Sequence, residues 1–444
     1  MIRKFLSIAA ALILPFSAGA QTRPLSLEEA LAAGLGSNPG LQTSRLELEA
    51  AAARSREIAA GRLPSFKFGG GYSRLSQVPD FQVTLPISPD PIVVSQSYFD
   101  NFNLRLGVQQ PLFTGFRLQA GEKSARMREA AAGQDLEKAR AEFVLAVKNA
   151  YWGLARARDF EQVIGENVRQ VTEHLKDVRA FFDQGLVTKN DVLRAELELS
   201  NAEIMKIDAR NAAEIALTAL MSLIGLPLDT DVDLTTTVES QVSRIPAAAE
   251  ASVGDEAAIG SALVKRPEIR SADLTIKASE LGVKAARSGF FPQVFLSGNF
   301  YYLRPNPRIL PSVDRFEGTW DVGISVQFDV WNWGQTKRQA EQAEARLGQA
   351  REARKALEDQ AALEIRQCRL NLARAGEKVR VAGQAVVLAE ENLRVTSERF
   401  KQGVALSSDV IDAEVALLRA KLGRTQAAIE RVLAQASLEK ALGE

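Results

Sequence analysis

The sequence has 444 residues, with 55 lysines and arginines set against 55 aspartates and glutamates. That length allows more than one domain, and a balanced charge without a long basic run excludes the electrostatic footprint of a nucleic-acid binder. A hydrophobic content of 46% excludes an intrinsically disordered chain.

The chain begins "MIRKFLSIAAALILPFSAGAQ". Arg3 and Lys4 precede a short apolar core from Phe5 to Phe16, and Ala18-Gly19-Ala20 forms a small-residue cleavage site. The pattern predicts a secretory signal peptide over residues 1–20, too short to span a membrane as a helix. Losing Arg3 and Lys4 leaves 53 basic residues against 55 acidic ones, a net charge near −2. Cys368 is the only cysteine, so no disulfide forms within one chain and none follows the expected cleavage site to carry a lipid. No later stretch is long and apolar enough for a transmembrane helix, so an exported chain of this kind is either soluble or spans a membrane as β-strands.

Beyond the signal peptide the elements recur in one order. A helix rich in alanine and charge ends near Arg62, two alternating segments follow, then a very long helical stretch, a turn and a returning helix. The same order repeats after Asp255, with the first helix ending near Ser288. Pro39 and Pro64 match Pro267 and Pro292 at a spacing of 228, whereas "PLFTGF" (residues 111–116) matches "DVWNWG" (329–334) at 218. The first half therefore carries about ten extra residues between its strands, which marks an exposed loop there. The organisation read from this is a first repeat over 21–226, a Thr-, Ser- and Pro-containing linker over 227–254, and a second repeat over 255–444.

Proline is absent from Leu112 to Leu226 and from Ser312 to Glu444, which favours long helices. Leu136, Phe143, Val147 and Leu154, then Phe160, Ile164, Val168, Val171, Leu175 and Val178, follow steps of three, four and seven, a narrow coiled-coil seam. Ile411, Val415, Leu418, Leu422, Ile429 and Val432 do the same in the last helix. Helices from Phe116 to Phe181 and from Gln335 to Phe400 would each reach roughly 100 Å and fold back as antiparallel hairpins. The turns between them are "FFDQGLVTKNDVL" and "RFKQGVALSSDVI", again 218 residues apart.

The alternating segments have period two. Phe66, Phe68, Gly70 and Tyr72 share one face, as do Phe102, Leu104, Leu106 and Val108, then Val294, Leu296, Gly298 and Phe300, then Trp320, Val322, Ile324, Val326 and Phe328. Polar residues such as Asn103, Arg105, Gln109, Asn299, Asp321 and Gln327 occupy the other face. Strands of this length cross a tilted bilayer path, and terminal aromatics suit an interfacial girdle. Four strands do not close a membrane barrel, whereas three copies supply twelve.

These features together, "LSLEEALAAGLGSNPGL" near the start, the "PLFTGF" and "DVWNWG" junctions and the paired turns with Gly185…Asp191 and Gly403…Asp409, make the chain resemble the TolC family of outer-membrane efflux proteins over its whole mature length. The resemblance implies a mainly α fold: long antiparallel coiled-coil helices forming a periplasmic α-barrel, plus four strands per chain of a trimeric twelve-stranded β-barrel in outer-membrane lipid. It implies a homotrimer working with a periplasmic adaptor and an inner-membrane transporter, located in the outer membrane with a periplasmic extension. The loop from Ser73 to Phe99 would face outside, and the turns would lie at the periplasmic tip.

No catalytic constellation, metal set, cofactor motif or phosphate-binding loop is visible, so energy would come from a partner. The lone histidine, His174, reads as exposed and Cys368 as a small packing residue. Asp409 and Asp412, three apart at a helix start, share a face, and Arg194 stands in the first repeat where Asp412 stands in the second. The resemblance implies that these carboxylates ring a narrow periplasmic entrance, raise one another's pKa and attract cations; helix capping is the simpler role. It also implies that an adaptor docks at Gly185, Leu186, Val187 and Thr188, and at Gly403, Val404, Ala405, Leu406 and Ser407. With Leu406 in place of Thr188, capping is expected to pass to Ser407 or Ser408. A periplasmic coiled-coil scaffold is the alternative, but it leaves the alternating segments without a role.

Overall fold

The structure, a computed structural model, describes residues 23–87, 90–245 and 255–444; the expected signal peptide lies outside them. In chain order the elements are β1 (Arg23–Leu25), α1 (Leu27–Ser37), α2 (Pro39–Ala60), β2 (Ser65–Arg74), β3 (Phe81–Val83), β4 (Ile92–Ser95) and β5 (Asp100–Thr114). Then come α3 (Arg117–Asp183), α4 (Lys189–Ile224), β6 (Val232–Leu234), α5 (Val238–Arg244), α6 (Asp255–Lys265) and α7 (Pro267–Ala286). A 3-10 turn (Arg287–Phe290) leads to β7 (Gln293–Arg304), β8 (Glu317–Gln327), α8 (Gln335–Lys401) and α9 (Ser407–Leu442). The two long helices fall where the proline-free heptads place them, and each has 67 residues. Among the described residues no helix is long and apolar enough to cross a membrane.

The chain divides into two compact units, and each draws on both halves of the duplication. Among the described residues the first comprises 23–42, 139–245, 255–262 and 361–444. Its largest core gathers Leu25, Phe143, Val147, Tyr151, Trp152, Leu220, Met221, Ile224, Ile429 and Val432. The Tyr151 hydroxyl donates to Leu25 O at 3.0 Å and accepts from Thr236 N at 3.2 Å, which satisfies a buried polar tip. Helix α1 starts from a Ser26–Glu29 capping box, and Gly34 sits where a Cβ would meet the Phe143 ring at 2.6 Å. The stretch expected to be a linker is partly built into this unit: β6 pairs in parallel with β1, and Val232 is buried in the core. Residues 246–254 of that stretch lie outside the described residues.

Toward the hairpin turns the same unit holds smaller clusters: Ile164, Ala209 and Leu418, then Leu175, Val178, Ala195, Phe400 and Val410. Buried Ala195, Ala202, Ala209 and Ala213 on α4 let helices approach closely at little cost in side-chain entropy. Cys368 packs beside Ala262, Ile365 and Ala441, the small apolar role expected of it.

The second unit, Thr43–Lys138 and Leu263–Gln360, carries a four-stranded antiparallel sheet in the order β2-β5-β7-β8. Phe68 pairs with Leu106, Leu106 with Phe300, and Phe300 with Trp320, so one apolar face runs across all four strands. On the other face Arg105 Nη2 donates to Asn299 Oδ1 at 2.7 Å, and Asn299 Nδ2 donates to Asp321 Oδ1 at 2.8 Å. The longer first connection, after β2, holds the extra β3–β4 hairpin. Both strand-to-helix junctions use two successive left-handed residues, in opposite order: Gly115 with Phe116 (φ 57° and 68°), and Trp333 with Gly334 (φ 53° and 77°). A Cβ at Gly115 would meet Ser288 O at 2.5 Å, which fixes glycine there.

Candidate functional site

Two sets of residues concern function: the strand sheet and the hairpin turns. On the sheet, the apolar face lacks a helical cover. Trp320 and Val322 are 72% and 67% exposed, and Ile324, Val326, Leu104 and Leu106 are exposed as well. Phe102 and Val108 are half-buried; Phe102 packs against Tyr72 and Phe316, with ring centroids 5.0 and 5.7 Å apart. An uncovered apolar face of this extent is not a surface that water favours. Among the described residues both outer strands, β2 and β8, pair on one side only, leaving two rows of unused backbone donors and acceptors.

The turns are built alike. α3 ends in a Schellman motif: Gly185 has φ 73°, its N–H donates to Phe182 O, and Leu186 N–H donates to Phe181 O, both at 2.9 Å. α8 ends identically, with Gly403 at φ 74°, its N–H on Phe400 O, and Val404 N–H on Arg399 O. Leu186, Val404 and Leu406 are left more than half exposed, beside exposed Gly185, Thr188 and Gly403, while Val187 and Ala405 are half-buried against the apolar cluster below.

The helix starts differ. Thr188 caps α4 in a box: Asp191 N–H donates to Thr188 Oγ1 at 3.3 Å, and Thr188 N–H donates to Asp191 Oδ2 at 2.9 Å. The Thr188 hydroxyl, which donates to Asp191 Oδ2 at 2.7 Å, and then the Thr188 N–H hold the Asp191 carboxyl below the usual range, with Arg194 adding to them. In the second repeat Leu406 is the N-cap and offers no side-chain acceptor. Only half of the box survives, Leu406 N–H donating to Asp409 Oδ2 at 3.0 Å. The expectation that Ser407 or Ser408 takes over the cap is therefore corrected. Ser407 lies inside the first turn and is buried, and its hydroxyl meets His174 Nε2 at 3.0 Å.

The same contact corrects the reading of His174 as exposed: it is 6% exposed, edge-on to Phe400 at 5.2 Å. Its position was legible. His174 stands three after Val171 and four before Val178, both buried, so the heptad stripe itself carries it inward. Glu414 was missed for the same reason. It falls four after Val410 and four before Leu418, and it is buried with them. Asp409 and Asp412 are both exposed, one turn apart on α9. Asp409 thus caps, while Asp412 stays free for another role. Among the described residues no cluster could hold a metal ion.

The comparisons with known proteins agree with this geometry. The family described as outer membrane efflux protein matches residues 31–226 and 258–444. The outer membrane efflux protein BepC of Brucella suis is 24% identical over 341 residues, covering 76% of this chain and 72% of its own. The outer membrane protein TolC of Vibrio cholerae is 26% identical over 330 residues, covering 73% and 72%. Among solved structures, the outer membrane protein VceC from Vibrio cholerae superposes with a TM-score of 0.77 at 21% identity, over 94% of this chain and 96% of that one. With both halves of the duplication matched, the chain belongs to the outer membrane efflux protein family.

Proposed function

We propose that three copies of this chain form a passive export duct. Their sheets join edge to edge into a twelve-stranded barrel in outer-membrane lipid, and their helical hairpins form a coiled-coil tunnel in the periplasm. The observation that carries this reading is the sheet: its apolar face is uncovered, its polar face is hydrogen-bonded across strands, and both edges are open. A bilayer tolerates no open edge, and twelve strands in a ring remove all six.

The helices support a ring too. Leu193, Leu197, Ile204, Ile207 and Ile215 form an exposed stripe on α4, and Leu363, Leu370, Val381, Leu388 and Val395 form one on α8. Two different apolar stripes suit a head-to-tail contact, which closes into a ring when the rotation allows. An inner-membrane transporter supplies the energy and a periplasmic adaptor docks on the exposed turn residues Leu186, Val404 and Leu406. The duct itself carries out no chemistry. Asp409 and Asp412 of each copy, six carboxylates in all, line the periplasmic entrance and favour cations.

Reconstitution in planar bilayers tests this. The chain is expected to fractionate with the outer membrane and to open discrete cation-favouring pores. Asp409→Ala with Asp412→Ala is expected to raise conductance and weaken block by divalent cations. Recovery only from the soluble periplasm would sink the duct. Unchanged conductance and block in the variant would leave the aspartates as caps alone.

A further inference from the structure

Within the first unit, the start of α9 is tied to α3 by a buried polar contact, His174 Nε2 to Ser407 Oγ at 3.0 Å. Two turns further along α9, Glu414 is 3% exposed and its Oε2 has no hydrogen-bond partner. His174 and Glu414 line the same cavity of about 340 Å³, bounded by α3, α8 and α9. A buried carboxylate without partners is costly when ionised, and so is a buried imidazolium.

The charges around the pair do not neutralise it. From α3, Arg169, Glu173 and Asp177 face the cavity, and from α8, Lys401. Lys401 is drawn to Asp177 at 3.9 Å and Glu173 to Lys176 at 3.6 Å. From α4, Glu198 adds a like charge to Glu414, and on α9 itself Asp412 is the nearest acid in sequence.

We propose that His174, Ser407 and Glu414 form a latch holding the first turns of α9 against α3, in which the two buried titrating side chains respond to pH in opposite directions and partly compensate, so the latch is less sensitive to mild acid than either side chain alone would make it.

The compensation follows from linkage. Burial, then Glu198, pushes the Glu414 carboxyl from 4.5 up to about 7. Burial pushes the His174 imidazole below 6.5, more than Asp177 and Ser407 pull it back. The closed latch therefore disfavours the charged form of both groups, while an opened end returns both to ordinary values. Glu414 alone makes opening easier as pH rises from 4.5 to about 7, by up to about tenfold per pH unit. His174 alone makes opening easier as pH falls below 6.5, toward its lowered folded value, by up to the same factor. Below 6.5, opening then releases a proton from Glu414 and favours proton uptake on His174, so the two slopes have opposite sign.

The test is hydrogen exchange of the Ser407–Leu418 segment in the full chain in detergent, corrected for intrinsic exchange, from about pH 5 to about pH 8. The wild type is expected to show a pH slope that lies between those of the two single variants from about pH 5 to about pH 6.5. Glu414→Gln should open more on acidification, and His174→Gln, which keeps an amide for Ser407, should open less. Slopes of up to about tenfold per pH unit in opposite directions are the signature. Two flat variants, or two slopes of one sign, would overturn the latch. Should either variant fail to fold, the wild type still decides. His174 is the only histidine, so its single imidazole resonance must titrate below 6.5, and a midpoint at or above that value would overturn the proposal. Exchange does not depend on pore formation, so loss of the channel reading would leave the result standing.

Discussion

Thr188 and Leu406 occupy the same place in the two repeats and differ by one hydroxyl. Thr188 receives the Asp191 N–H, whereas the Asp409 N–H has no such acceptor at Leu406. Removing a cap of this kind typically costs about 1 kcal/mol. Thr188→Ala is therefore expected to quicken amide exchange in the first turn of α4. Leu406→Thr should slow it in the first turn of α9 by a comparable factor. If Thr188→Ala leaves the α4 amides unchanged, the capping box contributes nothing there. What α9 lacks in its cap it gains one residue later, because Ser407 turns inward to His174. A local motif read from sequence places a hydroxyl near a helix start, but it does not decide between the backbone and a partner on another helix. The partner of Ser407 is therefore not legible locally, whereas the burial of His174 is, through its place in the apolar stripe of α3.

Among elements, legibility followed periodicity. The period-two segments and the proline-free heptads place strands β2, β5, β7 and β8 and helices α3 and α8 to within a few residues. The duplication recurs at 218 in left-handed residues: two glycine pairs, Gly185 with Gly403 and Gly225 with Gly443, and the junction residues, Gly115 with Trp333 and Phe116 with Gly334. The pairing of β5 with β7 was not legible, since it joins strands from different repeats and no local pattern encodes a partner nearly two hundred residues away. Nor was the small β3–β4 hairpin, whose strands of three and four residues are too short to show a period. Alternation does assign faces, and the assignment is testable. Ile324 lies on the uncovered apolar face and Ser325 on the hydrogen-bonded polar one. An arginine facing lipid near the bilayer midplane costs about 2–4 kcal/mol. Ile324→Arg is thus expected to reduce the fraction of chain that folds into lipid vesicles, and Ser325→Arg to leave it nearly unchanged while altering pore selectivity. Equal tolerance at the two positions would mean that neither side of this sheet meets lipid.

For the whole molecule, the exposed stripes on α4 and α8 carry the strongest constraint. A chain that folded alone would have no reason to keep Leu388 at 72% and Ile207 at 69% exposure, spaced with their neighbours at steps of three, four, seven, eight and eleven that stay on one helix face, on helices whose opposite sides are already packed. The steps from Val381 to Leu388 to Val395 are seven residues each, the repeat a second helix reads. In a closed ring every copy presents its α4 stripe to one neighbour and its α8 stripe to the other, so a charge placed in either stripe is buried three times without a partner. An unpaired buried charge at one interface costs several kcal/mol, and a ring loses all its interfaces together. Leu388→Glu and Ile204→Glu, made separately, are each expected to convert the proposed trimer, extracted in detergent, largely to monomer by native mass measurement. The helices should remain folded by circular dichroism, since neither side chain belongs to the cores within the chain. Either variant alone should suffice, because a head-to-tail contact needs both of its faces. A trimer that survives both changes would place its interface elsewhere and remove the helical tunnel from the proposed duct, leaving the barrel to hold the three copies together.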